Sequence, residues 1–139
     1  MNVFLSILAI YLTFLIVDGL WIGLVVKKLY NKHLGELMRE KPQPLPGLIF
    51  YLIYPLAIWI YAVMMMAVFA ADTITFNGIA ATFVFAFGFG LVAYATYALT
   101  SWSVFKQWSA KVAIPDILWG AFASGVAGMV GFIVYTNLA

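Results

Sequence analysis

The chain has no cysteine and one histidine, and only 9% of its 139 residues carry a charged side chain. The first absence excludes disulfides, thiolate metal sites and a cysteine nucleophile. Also missing are a Gly-rich phosphate loop, a His-Glu-x-x-His zinc phrase, a serine elbow and any nucleic-acid-binding module. No cofactor, no metal and no nucleic-acid partner are therefore expected. His33 and Glu36 lie on a solvated basic stretch, where a lone histidine is ordinarily a solvated residue, and they are assigned nothing.

What is present is apolar. Hydrophobic residues make up 66% of the chain and aromatic residues 18%, far outside the soluble globular range. A bilayer core of about 30 Å needs about 20 helical residues to cross it. Four runs are long enough: about Val3–Val26, Leu48–Ala70, Gly78–Ser101 and Val112–Thr136. They are continuously apolar rather than alternating, and a backbone in lipid must satisfy its own hydrogen bonds, so helices are predicted rather than barrel strands. No basic residue precedes the first run and no small-x-small cleavage site follows it, so it reads as a retained span. The expectation is an all-α polytopic membrane protein, one four-helix domain over 1–139, in contact with membrane lipids.

All seven basic residues fall in two places: Lys27, Lys28, Lys32, Arg39 and Lys41 after the first span, and Lys106 and Lys111 before the fourth. The positive-inside rule makes both places cytoplasmic and leaves the termini and the segment Ala71–Asn77 outside. Leu29, Tyr30, His33, Leu34, Leu37 and Met38 recur at helical spacing, predicting an interfacial helix along the cytoplasmic surface. Pro42, Pro44 and Pro46 then predict a stiff, non-helical return to the second span. Trp102 and Trp108 suit a short interfacial connection before the fourth.

The informative residues are the two acids inside apolar runs, Asp18 and Asp116. A charged carboxylate at mid-span costs roughly 2.5–3.5 kcal/mol on insertion scales, so each calls for a partner or a wet cavity. Each is followed three residues later by a tryptophan, Trp21 and Trp119. At about 1.5 Å of rise per residue, Asp18 lies about 13 Å inward from Lys27 and Asp116 about 7 Å inward from Lys111. In antiparallel helices that brings Asp18 level with Trp119 and Trp21 level with Asp116, so each indole is expected to donate to the opposite carboxylate. Tyr51 and Tyr54 on the second span, and Tyr94 and Tyr97 on the third, reach the same layer. Pro55 removes the amide that would bond the Tyr51 carbonyl, predicting a kink there. Gly19 and Gly23, and likewise Gly120, Ser124 and Gly128, make small-x-x-x-small stripes that predict close helix contact.

These phrases have a likeness. Val17-Asp18-Gly19-Leu20-Trp21-Ile22-Gly23, Phe50-Tyr51-Leu52-Ile53-Tyr54, Tyr94-Ala95-Thr96-Tyr97-Ala98-Leu99-Thr100-Ser101, Trp108 and Asp116-Ile117-Leu118-Trp119-Gly120 resemble the bacterial predicted membrane proteins of domain of unknown function 2177. The resemblance covers nearly the whole chain. It implies a four-helix, multi-pass protein of the bacterial inner membrane and brings no activity with it. Where that family's pattern reads Tyr-Asp-Leu-Thr-Asn, this chain has Tyr97-Ala98-Leu99-Thr100-Ser101, so a third carboxylate and an amide are absent.

The expected site is therefore Asp18, Trp21, Asp116, Trp119, Tyr51, Tyr54, Tyr94 and Tyr97, binding or carrying a small cationic or amphipathic ligand or protons. Two alternatives stand beside it. One is a membrane enzyme acting on a lipid or isoprenoid with an aspartate as general acid or base. The other is an assembly protein whose Asp/Trp phrases hold helices together. With so little interior of its own, the chain is also a candidate homodimer.

Overall fold

In a computed structural model the described residues are 2–69 and 76–137, and four helices among them are long and apolar enough to cross a membrane. The first begins as α1 (Asn2–Trp21), passes through a π-helical turn at Ile22–Val26 and continues as α2 (Lys27–Leu34) to a final 3-10 turn at Gly35–Leu37. The second begins as α3 (Pro44–Ile58), widens into a π segment at Trp59–Met64 and ends as α4 (Met65–Phe69). The third is α5 (Phe76–Val104) and the fourth α6 (Ala110–Asn137).

Two boundaries differ from the sequence-based expectation. The stretch expected to lie apart as an interfacial helix continues α1 through the π turn without a break. Its apolar stripe is used inward: Leu34 is buried and Tyr30 reaches α6. The proline segment is helical from Pro44 onward, after an extended Gln43. Prolines are tolerated in a first turn because the amides they lack have no intrahelical acceptor there. The segment expected to lie outside, Ala71–Asn77, falls almost wholly beyond the described residues.

Helix α6 is the centre of the bundle, packed along α5 on one side and α1 on the other. Its sequence explains why. Gly120, Ala121, Ala123, Ser124, Gly125, Ala127, Gly128 and Gly131 are all buried, a run of small side chains that lets neighbouring backbones approach. In lipid such approach is stabilised by dispersion and hydrogen bonds rather than by expulsion of water. A Cβ on Gly120 would sit 2.1 Å from the Tyr94 ring, one on Gly128 would be 2.5 Å from Ala86, and one on Gly131 would be 2.4 Å from Ile10. The close neighbour of the Gly120 stripe is thus α5. Gly19 and Gly23 behave otherwise: nothing lies within 4 Å of either Cβ position, and both face away from the bundle. Among the described residues their stripe meets no other helix.

Above the acids, Ile10, Phe14, Ile58, Ala62, Val63, Ala127 and Phe132 form a fully buried core. A polar thread runs through it: the Trp59 indole donates to Ser6 Oγ at 3.1 Å, and Ser6 donates to the Gly131 carbonyl at 2.6 Å. The Tyr11 hydroxyl donates to the carbonyl of Leu52. Pro55 lies buried inside α3, and the helix changes neighbours around it: Pro44–Ile58 lies against α1 and α6, whereas the π segment and α4 meet α5.

Gly120→Ala is expected to destabilise the fold by about 1–3 kcal/mol through overpacking against Tyr94. Gly19→Ala, with open space around it, should be neutral or stabilise by about 0.5–1 kcal/mol. Equilibrium unfolding in mixed detergent micelles measures both.

Candidate functional site

The two aspartates are buried, Asp18 at 5% and Asp116 at 4% exposure, and each is held by a tyrosine from a different helix. Tyr51 of α3 donates its hydroxyl to Asp18 Oδ2 at 2.5 Å. Tyr30 of α2 donates to Asp116 Oδ2 at 2.7 Å. These are charge-assisted bonds when the carboxyls are ionised, the stronger class of hydrogen bond. Both carboxyls line the same cavity between the helices.

The indoles do something else. Trp21 and Trp119 stack face to face, with ring centroids 4.7 Å apart and planes within 7° of parallel. Among the described residues both buried N–H groups lack a hydrogen-bond partner; that of Trp21 approaches Asp116 without meeting bonding geometry. The expected exchange of indole donors for opposite carboxylates is thus not made. Stacked face to face, the indoles bring the Trp21 N–H toward Asp116 without closing a bond and leave that of Trp119 unpaired among the described residues. Phenol hydroxyls on longer reach take over the donor role.

Between the four helices lies a cavity of about 500 Å³. Asp18, Trp21, Ile22, Val26 and Tyr30 line it from the first helix, Phe50 and Tyr54 from the second, Ala93, Tyr94 and Tyr97 from the third, and Asp116 from the fourth. Six of the eight residues singled out from the sequence thus share one cavity. Tyr51 and Trp119 stand behind it, the first holding Asp18 and the second backing Trp21. The Tyr54 hydroxyl meets Ser124 Oγ at 2.8 Å, and Ser124 donates to the Gly120 carbonyl at 2.6 Å, so Tyr54 is the donor of the pair. The Tyr94 hydroxyl, on a side chain 92% buried, and that of Tyr97 make no hydrogen bond among the described residues. At the position where the resembling pattern has a third acid, Ala98 is fully buried.

A family model for predicted membrane proteins, DUF2177, matches residues 3–133. The chain belongs to that family. No curated protein and no solved structure matches it. The family assignment extends over both acids and every cavity-lining residue.

The sequence-based reading missed Tyr30, Ser124 as a polar partner, and Phe50. A signal for Tyr30 was available. Asp18, Ile22, Val26, Tyr30 and Leu34 recur every four residues, and the first four all line the cavity. A regular α-helix of 3.6 residues per turn would carry Tyr30 about 120° around from Asp18, and the wider π turn at Ile22–Val26 takes up much of that drift.

Tyr30→Phe and Tyr51→Phe each remove a donor and little volume, and each is expected to lower stability by on the order of 1 kcal/mol, the scale of side-chain hydrogen bonds between membrane helices. Thr100→Ala, whose hydroxyl bonds only the Thr96 carbonyl of its own helix, should lose nothing. Unfolding followed by tryptophan fluorescence distinguishes the three.

Proposed function

We propose that this member of the DUF2177 family binds a small organic cation in the cavity between its four helices, with protonation of Asp18 and Asp116 as the event that releases it. The observation that carries this reading is the lining itself: two carboxyls and six aromatic rings, with no lysine, arginine or histidine among them. A site built this way has negative charge to neutralise and ring faces to receive a cation, at about 0.5–2 kcal/mol per ring contact. Each carboxyl shows one oxygen engaged by a tyrosine, which leaves the other to face a ligand. A carboxylate that gives up its cation on taking up a proton is the minimal chemistry of a proton-exchanging carrier, and transport is the role we assign to this binding.

The charge rule puts the cavity in the cytoplasmic half of a bacterial inner membrane, with both chain ends outside. A second reading has its own support. The bonds from Tyr51 and Tyr30 tie the second helix to the first and the first to the fourth, which is what an assembly protein using its acids as helix glue requires. An enzyme acting on lipid finds less: the acids and phenols supply proton donors and acceptors, but no activated nucleophile is among the lining residues.

Benzyltrimethylammonium carries a permanent charge, so any pH dependence of its binding reports on the protein. Calorimetry on the protein in lipid nanodiscs should show binding that weakens as pH falls and the carboxylates are neutralised. Asp18→Asn and Asp116→Asn should each weaken it about tenfold, about 1.4 kcal/mol. Unchanged affinity in both variants, with loss of folding yield instead, would favour helix glue.

A further inference from the structure

The four helices do not close the cavity equally. Helix α3 packs on α1 and α6 but forms no backbone seam with α5, and the backbone of the second helix comes close to α5 along the π segment and α4. Across this gap the facing residues are Phe50 and Tyr54 of α3 and the row Phe89, Ala93 and Tyr97 of α5, which recurs every four residues and so shares one helix face. Rings bridge the gap at one end. Phe89 stacks on Tyr54 at 5.6 Å and on Tyr61 at 5.2 Å between centroids. One turn along, the buried Tyr94 meets Tyr54 edge-on at 5.8 Å, and beside it the side chain on α5 is only the methyl of Ala93. There the lining reaches the outer surface of the bundle, with Phe50 36% and Tyr97 41% exposed although both line the cavity. The surrounding surface is largely apolar, with Ile49, Leu52 and Ile53 on α3 and Val92 and Leu99 on α5 all exposed, while the exposed Thr96 and Thr100 turn their hydroxyls onto carbonyls of their own helix.

We infer that this gap is a lateral portal between the cavity and the bilayer, and that the ligand is a cationic amphiphile whose charged head sits at Asp18 and Asp116 while its alkyl tail passes between Phe50 and Tyr97 into the lipid. The inference rests on the cation reading above and deepens it by naming the substrate class. Two features of the site point the same way. The carboxyls lie at the inner end of the gap and apolar side chains at its outer end, matching the polarity of such a molecule from head to tail. A cavity of about 500 Å³ enclosed on all sides would have to contain the whole ligand, whereas one open between α3 and α5 sets no limit on tail length. The tail gains nothing by leaving lipid for an apolar portal, so tail length should leave the affinity, referred to the bilayer concentration, nearly unchanged.

The test compares benzyltrimethylammonium with benzyldimethylhexadecylammonium, which differ only in the tail, on the full chain in nanodiscs, with empty nanodiscs correcting for partition. The expected result is that the tailed cation displaces the short one, with a bilayer-referred affinity within about threefold of it. Ala93→Leu narrows the portal and should weaken the tailed cation at least fivefold more than the short one. A tailed cation bound tenfold or more weaker than the short one by the parent protein, or equal losses for both in Ala93→Leu, would overturn the portal and leave the cation site standing. Failure of the parent protein to bind either probe would overturn the cation site and the portal with it. Should Ala93→Leu fail to fold, the parent comparison decides alone.

Discussion

A carboxyl group inside a membrane-spanning helix has to be answered by another helix, and in this protein that requirement is met twice by phenols. Tyr51 answers Asp18 and Tyr30 answers Asp116. Each bond joins helices that a purely apolar four-span chain would have no specific reason to align, because lipid solvates leucine as well as leucine does. The acids thereby fix the level at which the first, second and fourth helices meet. Once they are set, the faces of Trp21 and Trp119 come together and Tyr54 meets Ser124. The cavity is what remains where large rings are held apart by their own contacts.

The same residues that hold the bundle together at this depth also prevent it from closing. Glycine and alanine along α6 draw α5 close, and Tyr94 presses on Gly120 where a methyl group would not fit. On the opposite side α3, interrupted by Pro55 and loosened by the π segment after it, leans toward α1 and leaves α5. Irregular helix at mid-membrane is tolerated where side chains take up the freed backbone groups. The carbonyl that Pro55 frees is that of Tyr51, and the Leu52 carbonyl next to it accepts the Tyr11 hydroxyl. Tight packing on one side and parted backbones on the other make a one-sided cavity, which is the arrangement the proposed ligand requires.

Much of this was legible in the sequence, for identifiable reasons. Helical spans follow from run length and continuous hydropathy. The common depth of Asp18, Asp116 and the tyrosine pairs follows from a fixed rise per residue and antiparallel neighbours. Direction within that layer does not: both aspartates and both tryptophans lie in one layer, yet the indoles stack and the phenols bond. Rotation about a helix axis decides between those outcomes, and it depends on how the Gly120 stripe seats against Tyr94, which spacing alone does not specify. Gly19 and Gly23 show the same limit, since a small-residue stripe records that a close approach is allowed and not that it is made. Tyr30 was lost for a different reason. Basic residues around it suggested a surface helix, while the backbone continues the first span and carries it inward.

The account stands or falls on the pairing of acids with phenols, and that pairing is directly measurable. The chain contains three aspartates, so carbon-13 in the aspartate carboxyls and in the tyrosine ring carbon bearing the hydroxyl gives a simple solid-state magnetic resonance spectrum of the protein in bilayers. The Asp18 and Asp116 carboxyls, assigned by their loss in the asparagine variants, should each show close dipolar contact to a tyrosine, removed by Tyr51→Phe and Tyr30→Phe respectively. Carboxyls without any such contact, or contacts indifferent to both substitutions, would contradict it.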